Sequence, residues 1–377
     1  MAGYVFAIGD VDPIEVIKKC SATGVYSTNI NTLSANPFEG TLTDYISMRP
    51  GDNIYFFCRR KYYGVGELIS VGDDCKYCNY IGSTLPKNYT YEEISDSLLV
   101  DNGNESNKNR WICTFKGAPY MFEEGIDTDE ILQYKPDTFK MLRAFWKVSF
   151  IKLGDEENNS LKEIFLLRHQ DEIKNKSKVV SISDSVHDSI KKRKLSDYVI
   201  TPWNLLEAVS NEKRLRHEMA LEAGVVYDLC HDRFELLGHW DYVSHQVIAS
   251  PFKPIDYMDK IDVFATRYLP ETKIVCKYLV AELKKDTASC STIDQVMKYV
   301  DWVCNEYAYG DYGAIEACII AYEYEDDVIN YYNEVAQRFY MLGSHPARNM
   351  QWSVLKLLSY RWEDGSLKYI DETPKKL

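Results

Sequence analysis

The chain has 377 residues, 45% hydrophobic and 27% charged, with 57 acidic against 44 basic side chains and a formal net charge of −13. This is the composition of folded globular protein, which excludes a disordered or fibrous chain, and the length suggests about two domains. The acidity excludes a nonspecific polyanion binder, since phosphate contacts need Lys and Arg, but not a local basic track or a site filled by divalent cations.

In chain order, "YVFAIG" (4–9) predicts a strand and "PIEVIKKCSATG" (13–24) a short helix ended by Gly24. A hairpin follows in "GDNIYFFCRRKYYGVGELISVG", with strands Asn53–Cys58 and Gly64–Val71 around a basic turn. "RWICTF" (110–115) and "RAFWKVSFIKL" (143–153) alternate as strands. Residues 169–200 are polar, rich in Ser and Lys and poor in aromatics, and predict a linker. The run Lys191-Lys192-Arg193-Lys194 fits a solvated linker better than a phosphate-contacting arm. From 201 the pattern is helix through "TPWNLLEAVSNEKRLRHEMALEAGVVYDLC", then strands "DKIDVFATRYL" and "KIVCKYLVAEL" joined by Pro-Glu-Thr. A helix "STIDQVMKYVDWVCNEY" capped by Ser291 or Thr292, a strand "AIEACIIAYEY" and a helix "DDVINYYNEVAQRFYML" complete it. The expected class is therefore α/β (α+β), with domains at 1–168 and 201–377, the second ending in a helical extension.

The N-terminus "MAGYVFAIGDVDP" lacks a basic signal region, and no apolar run approaches the roughly 20 residues that cross a bilayer. A cytoplasmic protein without membrane contact is expected. Its ten cysteines, at 20, 58, 75, 78, 113, 230, 276, 290, 304 and 318, read as thiols. Cys75 and Cys78 have zinc-ligand spacing but no second pair nearby, and the histidines at 217, 231, 239 and 245 show none. There is no P-loop or dinucleotide fingerprint.

Glu-x-Lys occurs at Glu172-Ile-Lys174, Glu271-Thr-Lys273 and Glu282-Leu-Lys284. Only the third ends an apolar strand, where residues two apart share a face. With the turn near Pro270 and Glu271, the residue opposite Asp262 falls near Ala281, which brings Asp262 beside Glu282. Two carboxylates on adjacent strands suit Mg²⁺ or Mn²⁺, and a lysine beside them suits the charge that develops on phosphate. Gln295 and Tyr299, four apart on the next helix, share a face that can point back at them.

Asp262, Glu282-Leu-Lys284 and Gln295-x-x-x-Tyr299, followed by a strand and a helix, resemble the PD-(D/E)xK nuclease superfamily over about residues 205–345. The likeness is to the branch with a Gln-x-x-x-Tyr helix that includes the C-terminal domain of NucS. Ile261 stands where the motif has proline. The resemblance implies a restriction endonuclease-like α/β sandwich at 201–377, with Asp262 and Glu282 as metal ligands and Lys284 as the residue that orients the nucleophile. Gln295 and Tyr299 would support the site, and Glu218, or Glu222 one turn on, would complete it. It also implies DNA (or RNA) cleavage, a homodimer, and a place in restriction or anti-phage defence, where a phage-derived trigger would act. The first half resembles PUA-like β-barrels of the EVE, ASCH and YTH kind, which implies a pocket for a flipped base with Trp111, Phe115 and Trp146 as stacking walls.

Overall fold

A computed structural model of the chain describes residues 1–9, 12–30, 35–118, 121–139, 150–175, 179–180, 185–250 and 259–374. They are mixed α/β and fall into two units, Met1–Thr201 and Pro202–Leu377.

In the first unit β1 (Gly3–Ala7) leads to α1 (Pro13–Thr23), which starts where the Asp12 carboxylate accepts from the Ile14 N–H. It stops at Gly24, whose φ of 63° carries the chain out of the helix. After β2 (Val25–Ser27) and α2 (Ala35–Ser47), β3 (Asn53–Cys58) and β4 (Lys61–Leu68) form the expected hairpin. Its two turn residues, Arg59 and Arg60, both have positive φ, as a primed two-residue turn requires. Then come β5 (Lys76–Cys78), α3 (Tyr91–Ile94), β6 (Trp111–Gly117), β7 (Met121–Phe122), β8 (Ile126–Asp127), α4 (Thr128–Tyr134), β9 (Phe150–Leu153) and α5 (Asp155–Arg168). The sheet order is β2-β6-β4-β3-β1-β9, with β5 beside β6 and β8 beside β4; only β1 and β3 run parallel.

Strand alternation builds two cores. Val5 and Tyr55 face Leu161, Ile164 and Phe165 of α5. Phe6 and Phe56 face the other way and join Tyr26 and Phe150. Trp111 and Phe115 belong to this second core. Both are fully buried, Trp111 against Phe38 and Tyr45 and Phe115 against Phe56. They are packing residues and not the walls of a base pocket, because α2 covers Trp111 and Phe56 of β3 packs on Phe115. Trp146 lies outside the described residues. Trp111→Ala is expected to destabilise this unit by about 3–5 kcal/mol, read by denaturant unfolding.

The described residues between 169 and 200 are structured rather than an open linker. They form α6 (Gln170–Asn175), β10 (Val179–Val180) and α7 (Ser185–Lys191), and β10 pairs with β7. The buried His169 bridges the carbonyls of Phe165 and Glu124, and buried His187 donates to Gly24 O at 2.8 Å. Arg193 donates to the carbonyls of Asp96 and Leu98, while Lys191 and Lys194 pair with Asp188 and Asp197. Polar composition here serves buried backbone partners, which a count of residue types does not reveal. No disulfide joins any of the ten cysteines, and Cys75 and Cys78 are both buried, with the Cys78 thiol toward Val199 O.

In the second unit the stretch read as one helix is α8 (Trp203–Val209), a small hairpin of β11 (Ser210–Asn211) and β12 (Arg214–Leu215), and α9 (Glu218–Cys230). A strand absent from the sequence reading follows, β13 (Tyr242–Ile248). Then come β14 (Lys260–Tyr268), β15 (Val275–Ala288), α10 (Cys290–Glu306), β16 (Ile315–Tyr324) and α11 (Val328–Val335). The cap of α10 is Ser289, slightly earlier than expected. The C-terminal part is not helical. "RFYML" leaves α11 and becomes β17 (Arg338–Leu342), which pairs with β18 (Arg348–Trp352). β19 (Leu355–Glu363) and β20 (Ser366–Asp371) finish a six-stranded sheet in the order β13-β14-β15-β16-β19-β20. The first three strands are antiparallel, and β15, β16 and β19 are parallel. α9 and α10 pack on this sheet. No helix among the described residues is long and apolar enough to cross a membrane.

Candidate functional site

Strand β15 is apolar and buried from Leu279 to Leu283 except for one residue, Glu282, which is only 1% exposed. A carboxylate at the centre of a sheet needs compensation. Lys284, two residues on, donates to Glu282 Oε1 at 2.8 Å. Across the ladder Val263 faces Ala281, so Asp262 takes the position opposite Glu282. The Asp262 carboxylate accepts the Leu283 N–H at 2.8 Å through Oδ2 and the Gln246 side-chain amide at 3.1 Å through Oδ1.

Helix α9 contributes two acids one turn apart. Glu218 Oε1 lies 3.8 Å from Lys284 Nζ, and its Oε2 faces the Lys285 N–H at 3.4 Å. Glu222 is almost fully buried; it accepts from His245 Nδ1 at 2.5 Å and from Gln246 Nε2 at 2.7 Å. The two alternatives read from the sequence thus occupy different places, Glu218 by the lysine and Glu222 by Asp262. On α10, Gln295 donates to the Tyr299 hydroxyl at 2.8 Å. Tyr299 is buried, and burial together with the charges of Glu282, Asp259 and Asp262 holds its phenol in the neutral form, above the ordinary tyrosine range. Asp262, Glu282, Lys284, Glu218, Glu222 and Tyr299 therefore gather at one place, and Gln295 reaches it through Tyr299. The sequence reading missed Gln246, because β13 was not recognised; "YVSHQVI" carries only a weak alternation.

The electrostatics are those of an acid cluster with too little positive charge. Burial, then the charges of Glu282 and Glu222, push the Asp262 pKa well above the ordinary aspartate value. Burial raises Glu282 as well, against the pull of Lys284. Burial disfavours the Lys284 charge, but Glu282, Glu218 and Asp262 outweigh it and hold its pKa above the usual lysine value. Glu282 Oε2, buried, has no N–H or hydroxyl partner among the described residues, and the carboxyl neighbouring it is that of Asp262, a contact that pulls the Glu282 pKa down. Among those residues no group of three or more His, Cys, Asp or Glu side chains has the spacing of a metal site. The donor set is instead a pair of carboxylates, Asp262 and Glu282, with one oxygen unused. That set fits Mg²⁺ or Mn²⁺, which takes one or two carboxylates and keeps several waters.

A pH dependence follows. Carboxyls whose folded pKa is raised bind protons more tightly in the folded state. Their stabilising contribution is complete below the unfolded value of about 4 and is lost as pH rises through the folded values. The metal-free protein is expected to lose thermal stability as pH rises above about 4, more steeply than Asp262→Asn. Equal slopes in a differential-scanning series would contradict the raised proton affinity of Asp262.

Comparison of the chain with protein-family models finds no match, and comparison with curated proteins finds none either.

Proposed function

We propose that the chain is an endonuclease that hydrolyses phosphodiester bonds of DNA with a divalent cation held by Asp262 and Glu282. The observation that carries this reading is the opposed pair of a buried Glu282 and a half-buried Asp262, with an open oxygen on Glu282 and an ammonium 2.8 Å from its other oxygen. Mg²⁺ or Mn²⁺, when bound, would polarise the phosphate and lower the pKa of a bound water.

In this reading Lys284 keeps its proton and presents a cation where charge builds on the phosphate oxygens. Glu218 anchors the lysine from the helix side. Tyr299, neutral and fixed by Gln295, walls the site against water. The residues match the resemblance to PD-(D/E)xK nucleases, of the Gln-x-x-x-Tyr kind, and support a restriction endonuclease-like assignment for the second unit. The N-terminal unit would be a PUA-like sensor of nucleic acid or of a phage-derived trigger, using surfaces other than Trp111 and Phe115. A cytoplasmic homodimer acting in restriction or anti-phage defence completes the proposal, since a duplex presents two strands to cut.

The test is cleavage of plasmid, linear duplex, base-modified DNA and RNA with Mg²⁺ or Mn²⁺, by wild type, Glu282→Ala and Lys284→Ala. Metal-dependent nicking or cutting by wild type alone is expected. Identical behaviour of all three proteins across substrates and metals would overturn the catalytic reading, and cleavage confined to RNA would change the substrate.

A further inference from the structure

Gln246 has a backbone unusual for its place in the fold. It lies within β13, between the pairs His245–Val263 and Val247–Ile261, and so opposes Asp262. Its φ is 52°, in the left-handed region that non-glycine residues seldom adopt, least of all inside a strand. Left-handed backbone breaks the strict alternation of the strand and redirects the side chain. Its amide nitrogen then reaches two carboxylates at once, Glu222 Oε2 at 2.7 Å and Asp262 Oδ1 at 3.1 Å.

An amide nitrogen has two hydrogens, and here each has a carboxylate to bind. The nitrogen thus fills the space between Glu222 and Asp262 that a cation would otherwise enter. The remaining oxygen of Glu222 is taken by His245 Nδ1, at 2.5 Å. On the opposite side of Asp262 the situation is reversed: Glu282 Oε2 is buried and has no N–H or hydroxyl partner among the described residues. Of the three nearest acids, Glu222 is therefore closed off by an uncharged donor, Asp262 is shared between Gln246 and the Leu283 N–H, and Glu282 keeps one oxygen open.

We propose that Gln246 is a positioning residue that limits the centre to a single cation per chain, by setting its amide nitrogen between Glu222 and Asp262 and leaving only the Asp262–Glu282 side open. The proposal rests on the metal-dependent reading above. It goes beyond it in predicting a count. Two-cation phosphodiesterases place their ions about 3.5–4 Å apart between shared carboxylates; here the second such place is occupied by protein. Hydrolysis would then depend on one cation, with Lys284 supplying the second positive charge.

The experiment is Mn²⁺ binding to the full chain, followed by electron paramagnetic resonance and by calorimetry. Wild type is expected to bind one Mn²⁺ per chain. Gln246→Glu, which exchanges the amide for a carboxylate of the same length, is expected to bind two, with the spin–spin broadening of neighbouring ions. Gln246→Gly is expected to keep a higher thermal midpoint than Gln246→Ala in the metal-free protein: both lose the amide, but only glycine adopts the left-handed conformation without strain. Two ions in wild type, or one in Gln246→Glu, would overturn the assignment of Gln246 while leaving the nuclease reading intact. A midpoint of Gln246→Gly no higher than that of Gln246→Ala would overturn the claim of a strained backbone. No Mn²⁺ bound to wild type, with Asp262→Asn indistinguishable from it, would remove the metal site itself and the count with it.

Discussion

Asp262→Asn is expected to abolish cleavage and, at the same time, to make the metal-free protein more stable. Both effects have one cause. Asp262 is half-buried beside Glu282 and Glu222, with its pKa driven up by desolvation and by those two charges. Removing its charge relieves a repulsion that water only partly screens at this half-buried position. A gain on the order of 1 kcal/mol corresponds to about 2–4 °C in thermal midpoint for a unit of this size. If the proposed metal-dependent cleavage holds, it should fall by about 10³-fold or more, since one of the two proposed ligands is lost. Saturating Mn²⁺ should reverse the order of stability. A ligand that binds only the folded state at 100 times its dissociation constant adds about 2.7 kcal/mol, and only wild type would receive it. Scanning calorimetry with and without Mn²⁺ decides the matter; a metal-free Asp262→Asn protein less stable than wild type would contradict charge repulsion as the cause.

Lys284→Ala should separate chemistry from metal binding. Lys284 donates to Glu282 Oε1 and lies near Glu218, but it is not a metal ligand. Loss of its cation is expected to lower kcat by about 10²–10³-fold, the usual effect of removing one donor that stabilises transition-state charge. Mn²⁺ affinity should be kept or improved, because a competing positive charge has gone. Metal-free stability should fall, opposite in sign to Asp262→Asn, since the buried Glu282 loses its counter-charge. Lys284→Arg should recover part of the rate. Retained turnover in Lys284→Ala would remove the lysine from the mechanism, and lost Mn²⁺ binding would make its role structural.

Much of this centre was legible in the chain. The strands β14 and β15, the helix α10 and the strand β16 follow from local apolar patterns, and with them Asp262, Glu282, Lys284, Gln295 and Tyr299. What was not legible has a common origin in partners distant along the chain. Residues 169–200 look like a linker because their hydrogen-bond partners, such as Gly24 and Glu124, lie far away in sequence. Trp111 and Phe115 suggest stacking walls until Phe38, Tyr45 and Phe56 are seen to enclose them. "RFYML" has enough apolar residues for a helix, and only its pairing with β18 makes it a strand.

Register shows the division most clearly. At the turn Tyr268 faces Val275, and continuing that pairing would put Asp262 opposite Ala281, with Glu282 on the other side of the sheet. The shift lies between Arg267 and Tyr268, where Cys276 is the extra residue on β15 and its thiol points to Arg267 O at 3.4 Å. This bulge moves the pairing by one and brings Asp262 opposite Glu282. The amino-acid order by itself determined which acids, which lysine and which supporting helix face exist, because those follow from local pattern and residue chemistry. Only the tertiary structure decided that they meet, because strand faces alternate with a period of two and a single unpaired residue, set by packing across the sheet, chooses between them.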